Sequence, residues 1–351
     1  MLKILEKKRV LVAMSGGVDS SVSAALLKKA GFQVAGVFLR CYEQGGCGTI
    51  EDLSMARLAS DKIGIPFYVF DFRKEYKNKV IDYFIKGYAS GKTPNPDIVC
   101  NSEIKFNLLF KKAMALGFDY LATGHYANIK KHGKKLRILK GKDPNKDQSY
   151  FLYALNPEVL PKLIFPVGKY MKKDVRGIAK KFGLPNAKRK DSQGICFIGK
   201  VKLYDFLKDF LPPRQGKIID DKGDILGKHK GFYYYTIGQR KGLNLSGGPY
   251  YIYKTDSKKN IVFVTKKKSK LDKKEVFISD LKWFSDKGPD LPLRVNAKIR
   301  YRHKGASARL IKKSNSKFLL VFNKPQWAIA PGQSAVFYKG NELLGGGIIC
   351  N

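Results

Sequence analysis

The chain has 351 residues, of which 44% are hydrophobic, and it carries 68 Lys and Arg against 29 Asp and Glu. Its length predicts two or three domains, and the lack of any apolar run of about 18 residues excludes a membrane-spanning helix. The formal net charge of +39 predicts a polyanionic partner, for which nucleic acid is the default, although a lysine-rich proteome would explain part of the excess. The N-terminal residues run directly into the first predicted strand, so we expect no secretory or transit peptide and a cytoplasmic protein.

Predicted strands and helices alternate over residues 8–124. The first pair is the apolar run Arg9–Met14 and the helical segment Ser21–Leu27. Further strands are predicted at Gln33–Leu39, Pro66–Phe72 and Tyr120–Thr123, and helices at Glu51–Ile63, Lys74–Tyr88 and Ser102–Leu116. This alternation predicts an α/β domain with a doubly wound, mostly parallel sheet and a ligand site at the carboxyl ends of its strands.

The regular alternation of predicted strands and helices does not continue beyond residue 124. Residues 125–165 predict an insert with a hairpin around His132 and Gly133 and a helical piece from Gln148, and a helix follows at 171–183. Short β segments are predicted from about Gln215 onward, at Lys217–Asp220, Tyr233–Ile237, Tyr250–Tyr253, Ile261–Thr265, Arg294–Tyr301, Lys317–Phe322 and Ser334–Tyr338. We therefore predict a first domain at 1–200, with 125–200 as an insert and helical part, a small mainly β domain at 201–272 and a C-terminal β-barrel at 273–351.

The sequence Ser15-Gly16-Gly17-Val18-Asp19-Ser20 joins the first strand to the first helix. A buried strand that breaks at two glycines and restarts as a helix presents backbone N–H groups at the positive end of the helix dipole. The glycines allow close backbone approach and the two serines can donate hydroxyls. The Walker A pattern and its lysine are absent. The segment therefore predicts a phosphate site of another type, against the alternative of a purely structural Gly-Gly turn.

Two cysteines lie in motif-like segments. Cys100 follows Thr93-Pro94-Asn95-Pro96-Asp97 at the predicted start of a helix, where a thiol should have a lowered pKa, and Asp97 could accept or donate a proton. The alternative is a buried cysteine with Asp97 as a helix cap. Cys196 lies between Gly194 and Gly199, which suits a thiol that must move, but the apolar residues beside it also suit a core strand.

The other cysteines carry weaker signals. Five cysteines without C-x-x-C spacing fit neither a disulfide scaffold nor a zinc ribbon. Cys41 and Cys47 lie in a glycine-rich segment without standard ligand spacing, and Cys350 is next to the end of the sequence. We expect no metal site here. An iron–sulfur cluster held by Cys100, Cys196 and Asp97 is the less favoured alternative.

Together the motifs resemble the MnmA family of bacterial tRNA-specific 2-thiouridylases, within the PP-loop ATP pyrophosphatase superfamily. The resemblance runs from about residue 8 to the end of the sequence. The matching segments are Ser15–Ser20, Thr93–Asn101, Ala122–Tyr126, Lys146–Leu152, Asp191–Gly199 with Cys196, Tyr235–Gly242, Arg300–Arg302 and Ala330–Gln333.

The resemblance implies a reaction on the wobble uridine of a tRNA. ATP, with Mg²⁺, would adenylate the C2 carbonyl, and a persulfide on Cys196 would deliver sulfur. Cys100 would complete the transfer through a transient disulfide with Cys196, giving 2-thiouridine, AMP and pyrophosphate. Asp97 resembles the family's acid/base residue. A sulfur-donor protein that carries a cysteine persulfide would be a further partner.

The resemblance also implies which residues contact each substrate. Those of the ATP pocket would be Ala13, Met14, Ser15, Gly16, Gly17, Val18, Asp19, Ser20, Leu39 and Gly124. Those that contact tRNA would be Asn95, Pro96, Asp97, His125, Lys146, Asp147, Gln148, Arg300, Tyr301 and Gln333, the first three around a flipped-out target base. For His125 the alternative is a histidine of the core.

Two other functions remain open from the sequence. One is a different PP-loop synthetase that modifies tRNA or forms an amide with an amine nucleophile, and such an enzyme needs no cysteine pair. The other is a non-catalytic RNA-binding protein that retains the loop.

Overall fold

The computed structural model describes residues 8–42, 49–133, 135–191, 201–284 and 288–350. Cys47 and Cys196 lie outside these ranges, so the predictions for them are not addressed by the structure. The chain divides into two compact units. Unit 1 comprises Met1–Val80, Asp97–Val201 and Asn341–Leu343, and unit 2 comprises Ile81–Pro96, Lys202–Gly340 and Leu344–Asn351.

The strands, in chain order, are β1 (Arg9–Ala13), β2 (Gln33–Arg40), β3 (Phe67–Asp71), β4 (Tyr120–Thr123), β5 (Ala127–His132), β6 (Lys135–Lys140), β7 (Leu163–Ile164), β8 (Gly216–Ile219), β9 (Ile225–His229), β10 (Tyr251–Asp256), β11 (Ile261–Thr265), β12 (Asp272–Trp283), β13 (Leu293–Lys298), β14 (Ala306–Lys312), β15 (Phe318–Trp327), β16 (Ser334–Lys339) and β17 (Glu342–Ile349).

The α-helices are α1 (Val18–Lys29), α2 (Ile50–Ile63), α3 (Arg73–Tyr76), α4 (Asp82–Ala89), α5 (Pro96–Val99), α6 (Phe110–Ala115), α7 (Lys172–Lys181) and α8 (Leu203–Leu207). The π-helical segments Lys77–Ile81 and Cys100–Leu109 connect α3 to α4 and α5 to α6. Within the described ranges no helix is both long and apolar enough to cross a lipid bilayer.

Unit 1 is built on a parallel sheet with the strand order β3-β2-β1-β4-β7. Val10, Leu11 and Val12 of the central strand β1 are fully buried, as expected for a parallel strand covered on both faces. The chain order reverses between β1 and β4, and ligands bind at such a point, outside the carboxyl ends of the strands. The predicted α/β fold is confirmed, and Ser15–Ser20 lies where this rule expects a ligand.

The helices of unit 1 are fixed against the sheet by local sequence signals. Gly64 ends α2 with a φ of +70°, which a glycine adopts without strain. Val18 and Val22 of α1 share one core cluster with Val175 and Ala179 of α7. This packing fixes the N-terminal ends of α1 and α7 relative to each other. Both ends contain residues of the site described below.

The helix that carries Cys100 begins earlier than the sequence predicts. We predicted a helix from about Ser102, but α5 starts at Pro96. Proline is favoured at the first helical position because its missing N–H would have no partner there. The prediction that Cys100 stands at a helix N-terminus is therefore wrong, since the thiol lies one turn inside the helix, at the start of the π-helical segment.

In unit 2, β8–β11 form a four-stranded sheet with the order β10-β11-β8-β9. The predicted strand at Tyr233–Ile237 is absent, because residues Phe232–Tyr234 form a 3₁₀ turn. The hydroxyls of Tyr233 and Tyr234 donate hydrogen bonds to the carbonyls of Pro212 and Leu211. Both rings are buried rather than alternating between two faces.

The C-terminal strands form the predicted barrel. The order β12-β15-β14-β13-β16-β17 closes on itself because β12 also pairs with β17. The first part of β12 pairs with β15 and its last part with β17, and the register shifts between Ser279 and Lys282. Asp280 has a φ of +50° at this bulge. A bulge bends and twists a strand, which allows β12 to turn from one neighbour to the other.

We predict that Phe322→Ala destabilises the barrel by about 3–5 kcal/mol, because it leaves a cavity at a fully buried position. Tryptophan fluorescence in urea measures this change selectively, since the chain's two tryptophans, Trp283 and Trp327, lie on β12 and β15. Phe277→Ala, at a position that is 41% exposed on β12, is the matched control and should change little. Equal effects of the two substitutions would contradict this description of the core.

Candidate active site

The Ser15–Ser20 loop is folded by its own hydroxyl groups. The Ser20 Oγ accepts a hydrogen bond from the backbone N of Ser15 at 3.2 Å and donates one to the Gly17 carbonyl at 3.1 Å. Gly16 has a φ of +74°, and Ser15 at the rim is exposed. The loop therefore has a defined shape before any ligand binds, with its first serine accessible.

Two side chains that the sequence analysis missed anchor this loop. Asn186 donates from Nδ2 to the Gly16 carbonyl at 3.0 Å and to the Ser21 Oγ at 2.8 Å. Arg189 donates to the same carbonyl at 3.2 Å, and its guanidinium pairs with Asp52 at 2.7 Å. Because C=O and N–H point in opposite directions in a trans peptide, fixing the Gly16 carbonyl also fixes the direction of the Gly17 N–H.

The carboxylate of the loop belongs to a charged network. Both Asp19 oxygens accept hydrogen bonds from Lys172, at 2.7 and 2.8 Å, and Tyr126 donates to one of them at 2.7 Å. Lys172 also pairs with Asp191 at 2.9 Å, and Asp191 contacts Arg176 as well. The carboxylates and the cations in this cluster compensate one another.

Ion pairing outweighs burial at Asp191. Burial alone would raise the pKa of this carboxyl, but hydrogen bonds from Lys146, at 2.5 Å, and Lys172 lower it to about 2. Burial and the nearby Asp19 carboxylate raise the pKa of the Tyr126 hydroxyl, which therefore stays protonated as a donor. At neutral pH Asp191 is therefore ionised and Tyr126 is neutral.

The remaining residues assigned to the ATP pocket lie at the ends of strands in the same sheet. Ala13 ends β1, Met14 follows it in the core, and Leu39 is half-buried near the end of β2. A Cβ on Gly124 would lie 2.7 Å from the backbone N of Ser20, so glycine is required for β4 to end against the start of α1. The structure thus brings the predicted pocket residues together at one edge of the sheet.

Cys100 is buried, and its environment differs from the predicted one. Burial raises the pKa of the Cys100 thiol, Asp97 raises it further, and Lys105 and a hydrogen bond with Tyr76 lower it less. The expectation of a lowered pKa is therefore wrong for this structure. Its physical reason is the earlier helix start, which removes the thiol from the helix N-terminus and places it in the interior.

His125, near the end of β4 and predicted to contact tRNA, has several contacts within unit 1. His125 is buried, bonds to Thr123 at 2.7 Å and packs between the rings of Phe106 and Phe165. Burial lowers its pKa well below the usual range, so the ring is neutral. These contacts favour the alternative interpretation, in which His125 is a histidine of the core.

The segment Lys146–Gln148 also has contacts within unit 1. Asp147 is buried and accepts hydrogen bonds from the backbone N of Gly141 and of Ser149, both at 3.1 Å. Gln148 accepts from the backbone N of Tyr126 at 3.0 Å. Lys146 retains a partly exposed side chain beside Asp191. Of the three residues, Lys146 is best placed to reach a ligand.

In unit 2, Gln333 forms a hydrogen bond with the segment that precedes Asn95 and Pro96. Its side-chain amide donates to the Thr93 carbonyl at 2.9 Å, and the Thr93 N–H donates to the Pro331 carbonyl at 2.7 Å. Gly332, with a φ of +88°, allows this close approach. Gln333 therefore positions the proline-containing loop through its backbone. Asp97, the next residue after Pro96, opens the part of the helix that belongs to unit 1.

Arg300 lies in a basic cavity of the barrel unit. The cavity has a volume of about 610 Å³, and its charged lining residues within the described ranges are all basic: Arg300, Arg302, Lys304 and Lys324. His303 also lines it and bonds to Gln326 at 3.0 Å, and Tyr301 is half-buried in the same turn. Such a lining suits a phosphate group.

The sequence signals for the missed residues are weak but recognisable afterwards. A phosphate loop that contains a carboxylate needs a nearby cation, and Lys172 and Arg176 are spaced i, i+4 at the start of a predicted helix. Asn186 and Arg189 lie in an unremarkable segment between Pro185 and Lys190, where nothing in the sequence indicates contact with Gly16.

The parallel sheet and the phosphate loop at the end of β1 define an α/β domain of the type that uses nucleotides. Residues 8–200 match the family described as the tRNA methyl transferase HUP domain. Residues 204–266 match the tRNA methyl transferase PRC-barrel domain, and residues 273–349 match the aminomethyltransferase beta-barrel domain.

Full-length relatives make the assignment specific. The chain is 44% identical to the tRNA-specific 2-thiouridylase MnmA of Alkaliphilus oremlandii over 99% of both chains. It is 43% identical to that of Geobacillus thermodenitrificans, over 99% of this chain and 96% of the relative, and 44% identical to that of Pseudomonas fluorescens strain Pf0-1, over 98% and 95%. The chain belongs to the MnmA family of tRNA-specific 2-thiouridylases.

We predict that Gly16→Ala weakens ATP binding by about tenfold or more, equivalent to at least about 1.4 kcal/mol. A Cβ at Gly16 would lie 2.4 Å from the Asp52 carbonyl oxygen, so the loop must shift. Gly31→Ala is the matched control, because Gly31 also has a positive φ, of +91°, but its Cβ would meet no described atom within 4 Å. Equilibrium binding of ATP to both variants tests this, and equal affinities would contradict it.

We predict that alkylation of Cys100 by iodoacetamide is slow at neutral pH and accelerates only at a more alkaline pH than in the unfolded chain. The reason is the burial that raises the pKa of the thiol. Because the folded pKa is the higher one, ionising this thiol destabilises the fold as pH rises above the unfolded value.

Mass spectrometry of the Cys100 peptide at a series of pH values measures the rate, with urea-unfolded protein as the reference. If the midpoint of the pH dependence of the alkylation rate lies at or below that of the unfolded chain, the fold stabilises the Cys100 thiolate. That result would contradict the prediction.

Proposed function

We propose that this protein converts the wobble uridine of tRNA to 2-thiouridine, with ATP as the activating substrate. Similarity to tRNA-specific 2-thiouridylases over essentially the whole chain carries this conclusion. The protein is accordingly a tRNA-modifying sulfurtransferase with an ATP-using HUP domain. Because tRNA is its substrate, we further propose that it acts in the cytoplasm.

The first chemical step is activation of the base. A carbonyl oxygen is a poor leaving group until it is esterified to phosphate. In the proposed step, the C2 oxygen of the uridine attacks the α-phosphate of ATP, pyrophosphate leaves, and AMP remains on the oxygen. The Ser15–Ser20 loop supports this role because its shape is fixed by Ser20, Asn186 and Arg189 at the carboxyl end of β1. Magnesium would arrive as part of the MgATP substrate.

The second step replaces oxygen by sulfur. A persulfide on Cys196 attacks C2 through its terminal sulfur, and AMP leaves with the former carbonyl oxygen. The Cys100 thiolate then attacks the Cys196 Sγ, the S–S bond breaks, and its electron pair becomes part of the new C=S group. A Cys100–Cys196 disulfide results, and a thiol reductant must supply two electrons before a sulfur-donor protein reloads Cys196.

Asp97 has a specific part in this proposal. The buried Cys100 thiol is protonated at neutral pH, so the second step needs a base. Asp97 lies on the same helical turn and close enough for its charge to act on the thiol. We propose that Asp97 accepts the thiol proton. The complete burial of the Cys100 side chain also favours two-cysteine chemistry over an iron–sulfur cluster, whose ligands are thiolates open to iron.

The tRNA would be held mainly through its phosphates. We propose that the target base is flipped against Asn95, Pro96 and Asp97, since a stacked base hides its C2 edge. The basic cavity with Arg300 and the adjacent Tyr301 supplies a second contact area. The net charge of +39 supports a strong electrostatic component, which salt should weaken steeply.

An experiment is needed to distinguish the proposed function from the alternative, a PP-loop synthetase with an amine nucleophile. We predict that Cys100→Ser and Cys196→Ser each abolish 2-thiouridine formation, because each removes one sulfur atom of the transfer. Release of AMP and pyrophosphate should be retained in part, because the phosphate loop is unchanged. The assay is mass spectrometry of wobble nucleosides after incubation with tRNA, MgATP and a persulfide source.

Cys350→Ser is the matched control and should retain activity, since this half-buried thiol lies outside the proposed pathway. If the double substitution of Cys100 and Cys196 leaves a modified tRNA product, the enzyme uses another nucleophile. If the unaltered protein forms no 2-thiouridine, the proposed function is wrong.

A further inference from the structure

The ammonium group of Lys172 lies between two carboxylates from distant parts of the sequence. It donates to both oxygens of Asp19 and to Asp191, at distances of 2.7–2.9 Å. All three of its N–H donors are therefore used. The side chain is only 12% exposed, which reduces screening of these ion pairs by solvent.

The two carboxylates depend on Lys172 to different degrees. Asp191 has two further cationic partners, Lys146 and Arg176. Within the described ranges, Lys172 is the sole cation paired with Asp19, whose other partner is the neutral hydroxyl of Tyr126. Loss of Lys172 would thus leave Asp191 compensated and Asp19 as an uncompensated negative charge.

Asp19 lies within the loop that is assigned to phosphates. A bare carboxylate there would repel a triphosphate or a pyrophosphate, and this repulsion is strong at short range in a partly buried site. An oppositely charged partner held in place beforehand removes this repulsion without any rearrangement when the ligand binds.

Lys172 is held in place by its own backbone and helix. Its N–H donates to the buried carboxylate of Asp143 at 2.9 Å. It is the first residue of α7, whose residues Val175 and Ala179 pack in the same cluster as Val18 and Val22 of α1. Packing between α1 and α7 therefore positions the start of α7 so that the ammonium lies beside Asp19.

We propose that Lys172 is a positioning residue that makes the Ser15–Ser20 loop competent to bind phosphate by neutralising Asp19. This inference rests on the proposed use of ATP. Lys172 acts through Asp19. Although it is far from the loop in sequence, it supplies the positive charge that the sequence of the loop lacks.

The proposal has a pH signature that a purely structural role would not produce. The titratable groups around Asp19 are Tyr126, Lys172 and, across Lys172, Asp191 with its partners Lys146 and Arg176. Asp143 lies nearby and is bonded to the backbone of Lys172. Without the ammonium, Asp19 near a bound anion would bind a proton more readily, because like charges disfavour the ionised form. Lowering the pH would then restore binding.

The experiment measures equilibrium binding of inorganic pyrophosphate and of MgATP, without tRNA, between pH 5.5 and 8. Lys172→Met is compared with Lys172→Arg, with Lys172→Met/Asp19→Asn and with Lys173→Met. The last variant removes an exposed charge from the same helical turn. Each affinity is divided by that of the unaltered protein at the same pH, which cancels the protonation of the ligand.

We expect Lys172→Met to weaken pyrophosphate binding about tenfold or more at pH 8, a ratio that corresponds to about 1.4 kcal/mol. The loss should shrink toward pH 5.5, and Asp19→Asn in the same chain should relieve it at all pH values. Lys172→Arg should retain most of the affinity, and Lys173→Met should match the unaltered protein.

Three outcomes would overturn the inference: unchanged binding by Lys172→Met, a loss that is the same at every pH, or no relief by Asp19→Asn. Thermal unfolding of each variant identifies one that does not fold, and if Lys172→Met does not fold, Lys172→Gln, which also removes the positive charge, replaces it with the same expected results. If the unaltered protein itself fails to bind MgATP, the proposed function fails instead.

Discussion

The geometry of the site depends on the carbonyl group of Gly16. This residue follows β1, its positive φ sets the direction of the carbonyl, and Asn186 and Arg189 donate hydrogen bonds to the carbonyl oxygen. Arg189 in turn pairs with Asp52 near the start of α2. One peptide group thus connects the sheet to a segment about 170 residues later in the chain, as the Gly16 to Asn186 contact shows. A phosphate loop built this way needs little reorganisation when an anion arrives, which is the basis of electrostatic preorganisation.

Cys100 is subject to a different constraint. A sulfur nucleophile must be protected from oxidation until its partner is in place, and burial does this at the cost of a raised thiol pKa. The π-helical segment that begins at Cys100 is consistent with such a role, since these distortions cost helix stability and recur at functional sites. Reactivity in this enzyme would therefore arise when substrate and base are assembled around the thiol, rather than being a property of the resting side chain.

The sequence was informative wherever a local pattern decides local structure. The continuous apolar run of β1, the Gly64 helix stop and the turn-bounded strands of the barrel all follow from short-range rules, and the structure agrees. It was misleading where tertiary contacts decide. The three consecutive tyrosines at 233–235 have strand propensity, but hydrogen bonds from Tyr233 and Tyr234 to distant carbonyls select a 3₁₀ turn. The same applies to the site, since no local pattern reveals that Lys172 reaches Asp19.

Three histidines have a consequence for how the charge of this protein responds to pH. His125, His229 and His303 all have pKa values lowered chiefly by burial, and His303 lines the basic cavity of the barrel unit. A lowered pKa disfavours the protonated form of these three rings, so lysine and arginine rather than these histidines supply the positive charge that these regions offer to a polyanion. For these regions of the molecule, ionic strength rather than physiological acidity controls how strongly RNA is attracted.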